Sequence, residues 1–177
     1  DGIEFQSPTT FYKNSIMIYT YGKTLLTPGQ RVGYIALSPA VDDLEAMRTI
    51  IGSEQILSGW AMTSALMQHS LPDLEAMSLD VTAVQRRRDR LVEGLRRCGY
   101  DVRIPEGAFY ITPKPPIEDD SAFCNLLAEE GVFCLPGSVV KMKGYLRLSL
   151  TANDDMIERA LPLFEAVRKR ASEQLLG

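Results

Sequence analysis

TYGKTLLTPGQRVGY, residues 20–34, holds a lysine, an arginine eight residues later, and glycines at 22, 29 and 33. IMIYTY, residues 16–21, leads into it, and RVGYIALS, residues 31–38, leads out. Both runs are apolar, β-branched and aromatic, and they read as strands buried on both faces. GKTLLTPGQ between them is a loop marked by Pro28 and Gly29. Two such strands form either a hairpin or two neighbours in a larger sheet.

Lys23 admits several readings. A phosphate-binding loop needs a glycine five positions before the Gly-Lys pair. Met17 stands there, inside the strand, so the nucleotide loop is excluded. A surface charge in a turn would suit a lone lysine. Lys23 is not alone: Thr20 lies three residues before it, Gly22 beside it and Arg31 eight after it. A lysine amine forms a Schiff base with an aldehyde. Were that aldehyde pyridoxal phosphate, a hydroxyl and a planar guanidinium would suit the phosphate oxygens. Gly33 would let a backbone approach closely.

Outward from the loop, SPAVDDLEAMRTIIG, residues 38–52, reads as a helix capped by Ser38, with Pro39 at its first position and Gly52 past its end. A second helix runs from about Glu54 to Gln68, mostly buried through Ile56, Leu57, Trp60, Ala61 and Leu66. His69, before Pro72, is a helix-end residue. A long helix over 72–98 follows, its stripe made by Val81, Val84, Leu91, Leu95 and Cys98, with Gly99 at its end. It suits a bridge between a first domain, 1–71, and a second, 99–177.

The second domain reads as α+β. YDVRIPEGAFYITPK holds two strand-like runs, DDSAFCNLLAEEG is a capped helix, and VFCLPG is a strand and turn. In YLRLSL the leucines at 146, 148 and 150 share one face, so Arg147 points to the other with Tyr145 and Ser149. The closing helix runs from about 151, with Pro162 bending or interrupting it.

Composition narrows the partners. Of 177 residues, 45% are hydrophobic and 24% charged, ordinary for a soluble globular chain, with no apolar run long enough for a membrane helix. The net charge of -4 gives no global pull toward nucleic acid, and QRRRDR, residues 85–90, reads as a solvated helix face. Cys98, Cys124 and Cys134 are odd in number and never spaced as CxxC, which argues against a disulfide framework or thiolate metal site and suits a reducing, cytoplasmic compartment.

These segments together resemble the class I/II pyridoxal-phosphate aminotransferases of fold type I. The loop resembles the family's lysine motif, with Thr20 where serine or glycine is usual. PEGAFYITPK, LLAEEGVFCLPGSVV and GYLRLSLTAN resemble three later family segments, in the family's order. The resemblance implies an α/β and α+β fold: the end of a large domain joined by the long helix to a small C-terminal domain. It implies pyridoxal 5'-phosphate as cofactor, Lys23 as the Schiff-base lysine and catalytic proton carrier, Thr20 and Arg31 on the cofactor phosphate, and Arg147 on the substrate α-carboxylate. It implies amino acid and 2-oxo acid substrates and a homodimer, with no nucleic acid and no membrane partner. A β-lyase or synthase of the same fold, or the sensor part of a transcription regulator, would share these residues. The family's other cofactor contacts come earlier in its order than the lysine, and Asp1 does not replace its pyridine-binding aspartate. The chain is therefore expected to be inactive by itself.

Overall fold

The computed structural model describes residues 4–59 and 62–174. Asp1, Trp60, Ala61 and the final Leu175 and Leu176 lie outside the described residues. The backbone divides into two units, one ending at Leu79 and the other beginning at Asp80. Helix and strand mix in both.

The first unit is built on a hairpin. Strand β1, Ile16–Thr20, pairs antiparallel with β2, Gly33–Leu37, in a register that sets Tyr19 opposite Tyr34 and Thr20 opposite Gly33. The connection contains a one-turn helix α1, Tyr21–Thr24, and a 3-10 turn, Pro28–Gln30. The strands are not buried on both faces as their composition suggests: β1 alternates between exposed and half-buried residues, and Ile18 is 79% exposed. Among the described residues no third strand joins this pair, and a two-stranded ribbon cannot cover its own second face.

Helix α2, Leu44–Leu57, starts five residues later than the Ser38 cap suggests and runs through Gly52. Ser38 is buried instead, with its Oγ accepting the Ala40 N–H at 3.4 Å, so residues 39–43 form a turn before the helix. Helix α3, Ala65–Leu74, carries Pro72 inside it, which places His69 in mid-helix rather than at an end. The expected burial of Ile56, Leu57 and Leu66 is not found; all three are exposed. Gly52 has open space where a Cβ would stand. Gly52→Ala is therefore expected to stabilise this unit by about 0.5–1 kcal/mol through helix propensity, read as a raised midpoint in chemical denaturation.

The helix expected over 72–98 is two helices, α3 and then α4, Val81–Arg97. The break has a tertiary cause. Glu75 is held by the Tyr21 hydroxyl at 2.7 Å, and the Leu79 N–H donates to the Thr24 carbonyl at 3.2 Å, so both are tied to the hairpin unit. Asp80 then starts a new helix by accepting the Ala83 N–H at 3.0 Å.

The second unit packs α4, α5, Asp120–Glu129, and α6, Asp154–Gln174, against a three-stranded sheet. The sheet order is β3 (Tyr110–Ile111), β5 (Leu146–Ser149), β4 (Leu135–Pro136), all antiparallel. Leu91, Leu95, Phe123, Leu127, Leu146, Leu148 and Phe164 form the centre of its core. Gly94 lets α4 and α6 meet, since a Cβ there would lie 2.4 Å from a Leu161 methyl carbon. Asp119 caps α5 through the Ala122 N–H, and Gly131 follows the helix at φ +82. Pro162 lies inside α6 without interrupting it. The basic run on α4 is engaged within the unit: Arg87 pairs with Asp154, and Arg90 with Glu158. Among the described residues no helix is long and apolar enough to cross a membrane.

Candidate active site

Lys23 and Arg31 fall in the connection between β1 and β2, and Thr20 is the last residue of β1 before it. Thr20 ends the strand and caps α1, its Oγ accepting the Gly22 N–H at 3.3 Å. The same hydroxyl reaches the Val32 carbonyl only at 3.5 Å, a long contact that its proton could leave at little cost. Lys23 stands on the exposed side of α1, one turn past the strand. Gly22 beneath it sits close to Pro28, whose Cα lies 3.1 Å from where a Cβ would be.

Arg31 is exposed and left-handed, at φ 53 and ψ 48. A non-glycine residue there costs on the order of 1 kcal/mol, and such strain gathers where the chain must present a side chain. One guanidinium N–H donates to the Pro28 carbonyl at 2.9 Å, leaving most of the fork's donors for another partner. Gly33 permits a close backbone approach, as its position suggests, but the approach is to the opposite strand: a Cβ would lie 2.3 Å from the Tyr19 carbonyl oxygen.

Three tyrosines hold this loop, and the sequence reading overlooked them. Tyr19 and Tyr34 stack with ring centroids 5.0 Å apart, and Tyr21 meets Tyr19 edge-on at 5.2 Å. The Tyr19 hydroxyl bonds to Thr24. The available signal was the cross-strand pairing of Tyr19 with Tyr34, which only the register reveals.

The Tyr21 hydroxyl donates to Glu75, and that bond, with burial and the Glu75 charge, pushes its pKa up to about 12 from 10.0. The pair's contribution to stability is thus whole below pH 10 and is lost as pH rises through about 12. In an alkaline absorbance titration, Tyr21→Phe is expected to remove a late phenolate step. If the step near pH 12 persists in the variant, Glu75 does not hold the Tyr21 proton.

Arg147 belongs to the second unit. The alternation of β5 is as the leucines suggest: Leu146 and Leu148 are buried, while Arg147 and Ser149 are half-buried on the other face. Its guanidinium carbon lies 4.4 Å from the centroid of the Tyr110 ring, contributed by β3. The ring holds the planar fork by a cation–π contact and leaves its edge donors available to a carboxylate. Tyr110 was seen in sequence only as a strand residue.

The loop therefore offers an amine, a hydroxyl and a guanidinium, and the sheet of the other unit offers a second guanidinium on an aromatic platform. The first three are the donor chemistry an aldehyde-bearing phosphate ester requires, so these residues fit pyridoxal 5'-phosphate.

Comparison with known proteins gives the family. The model of aminotransferase class I and II matches residues 9–163, and the chain belongs to that family. It is 29% identical over 172 residues to the probable aspartate/prephenate aminotransferase of Thermus aquaticus, covering 93% of this chain and 44% of that protein. It is 30% identical over 159 residues to the LL-diaminopimelate aminotransferase of Dehalococcoides mccartyi, covering 87% of this chain and 40% of the relative. Among solved structures, an aminotransferase from Eubacterium rectale superposes with a TM-score of 0.86 at 31% identity, covering 96% of this chain and 43% of that one. The aspartate aminotransferase of Thermotoga maritima gives 0.72 at 29%, covering 85% and 39%. The chain thus spans less than half the length of these relatives.

Proposed function

We propose that the protein transfers an amino group between an amino acid and a 2-oxo acid, using pyridoxal 5'-phosphate held on Lys23. When bound, the cofactor supplies an electron sink that acidifies the bond to the substrate α-carbon. The observation that carries the reading is the β1–β2 connection, which presents Lys23, Thr20 and Arg31 on one loop whose backbone is fixed by close glycines and stacked tyrosines.

Each residue has a role in this reading. Lys23 anchors the cofactor and carries the proton at the substrate α-carbon, as a positioned general base and acid. Thr20 donates its hydroxyl proton to the phosphate, and Arg31 adds charge-assisted hydrogen bonds. Arg147, oriented by Tyr110, takes the α-carboxylate. In this reading the lysine-bearing unit, ending at Leu79, belongs to the cofactor domain, and the unit from Asp80 is the small domain.

We also propose a homodimer in the cytoplasm. Ile18, Ile56 and Leu57, exposed on the lysine-bearing unit, support a covering partner. The free thiols of Cys98, Cys124 and Cys134 support a reducing compartment. The test supplies the protein, in the form in which the cell makes it, with cofactor, an amino acid and a 2-oxo acid. A new amino acid matched by a new 2-oxo acid supports the reading; ammonia release without a new amino acid assigns lyase chemistry to the same residues.

A further inference from the structure

We propose that Asp120 is a positioning residue for Arg147: it clamps both ends of the loop between β4 and β5 and so sets where the guanidinium stands. The inference rests on the reading of Arg147 as the carboxylate-binding arginine.

Asp120 begins α5, yet it is only 3% exposed. A buried carboxylate is costly unless its oxygens are satisfied, and here both are. Oδ2 accepts the Ser138 N–H at 3.0 Å and the Gly144 N–H at 2.8 Å. Oδ1 accepts the Ser138 hydroxyl at 2.9 Å and the Ser121 hydroxyl at 3.3 Å. One side chain therefore joins Ser138, just past β4, to Gly144, just before β5.

The loop it spans has little freedom. The Gly137 N–H donates to the Tyr145 carbonyl at 2.7 Å, and the Gly137 carbonyl accepts the Met142 N–H at 2.8 Å. A Cβ at Gly137 would lie 2.1 Å from the Met142 carbonyl oxygen. Lys141 and Gly144 are both left-handed, at φ 64 and 81. Three residues beyond Gly144 comes Arg147, whose backbone pairs with Leu135 of β4. The strand pair below the clamp is thus the one that carries the arginine. Lys143 on the loop and Glu118 and Asp119 at the helix start line the same depression as Asp120. Burial raises the Asp120 pKa, but the bonds from Gly144, Ser138 and Ser121 outweigh it and hold the group below the usual carboxylate range.

Asp120→Asn retains the shape, and its NH₂ can turn to the Ser138 and Ser121 hydroxyls while its carbonyl oxygen keeps the two N–H bonds, but it removes the negative charge that strengthens every bond of the clamp. Loosening the clamp is expected to shift Arg147 without touching the reacting atoms. An arginine that binds the carboxylate equally in ground and transition states affects KM rather than kcat. A displacement of about 1 Å at such a group can cost up to ~10²-fold.

The test compares the protein, at the length made in the cell, with its Asp120→Asn variant by two measurements. Amide hydrogen exchange over residues 138–149 is expected to quicken roughly tenfold in the variant, with α4 and α6 unchanged. KM for the amino donor is expected to rise by about tenfold or more, with kcat within about twofold. Unchanged exchange in β5, or unchanged KM alongside a lowered melting midpoint, overturns the proposal and leaves Asp120 as a helix-start anchor only. Should the unsubstituted protein transfer no amino group, the functional reading fails, and exchange in β5 still decides whether Asp120 holds the strand. Should Asp120→Asn fail to fold, Ser138→Ala removes one of the clamping bonds and is held to the same two outcomes.

Discussion

Lys23→Ala is expected to lower amino-group transfer by at least about 10²–10⁴-fold, the share that a positioned proton-transfer group contributes by itself. Loss of the amine proposed to anchor the cofactor adds to this. The fold is expected to survive. Thr20, Tyr19 and Tyr21 supply hydrogen bonds that shape the turn, and Leu25 and Leu26 donate to the Tyr21 and Lys23 carbonyls, all of which alanine at position 23 retains. The melting midpoint of the variant, measured beside that of the parent, separates loss of the amine's chemistry from loss of the fold. Lys23→Arg sharpens the test. It keeps a positive charge at the same exposed place, but a guanidinium stays protonated and is no nucleophile at neutral pH. If Lys23 only attracts anionic ligands, Arg restores most of the activity. If it is the reacting amine, Arg is as defective as Ala. Activity within tenfold of the parent in both variants would remove Lys23 from the chemistry.

The second large effect lies in the core of the Arg147-bearing unit. Phe123→Ala is expected to cost about 3–5 kcal/mol, as for other fully buried phenylalanines. Phe123 is 0% exposed, on the inner side of α5, and its ring meets that of Tyr100 at 6.2 Å. Tyr100 in turn donates its hydroxyl to the Phe164 carbonyl at 2.8 Å and meets the Phe164 ring edge-on. Removing one ring from this chain leaves a cavity between α5 and α6 that the rigid aromatic neighbours cannot close. Whole domains are stable by only about 5–15 kcal/mol, so a large part of the unit's stability is at stake. Phe133→Ala is the control. Phe133 is 85% exposed, and its truncation should fall within about 0.5 kcal/mol of neutral. Equal shifts in denaturation midpoint for the two variants would contradict this account of the core.

The second unit was more legible in sequence than the first, for a physical reason. Its elements bury their apolar faces against each other, so patterns such as Leu146, Leu148 and Leu150 translate directly into an inward face and an outward Arg147. The caps at Asp119 and Gly131 act locally and were visible as letters. In the first unit, apolar composition suggests burial, and Ile18, Ile56 and Leu57 are exposed instead. Composition reports that a surface seeks cover; it does not report whether these residues supply it. Helix ends failed where tertiary bonds decide them. The Tyr21–Glu75 bond joins residues 54 apart, and no local pattern carries it. The residue types of the candidate site were readable because amine, hydroxyl and guanidinium chemistry is written in single letters. Their supports, Tyr110 beneath Arg147 and Asp120 across Ser138 and Gly144, depend on strand register and chain reversal.

The central claim is that Lys23 holds the cofactor covalently. Its most direct test is to incubate the protein, at the length made in the cell, with pyridoxal 5'-phosphate, reduce it with borohydride, digest it and map the modified peptide by mass spectrometry. The account predicts that the cofactor's mass sits on Lys23, at one equivalent per chain, and is lost in Lys23→Ala. Label spread over other lysines such as Lys13 and Lys143, or retained in full by the Lys23→Ala variant, would contradict it.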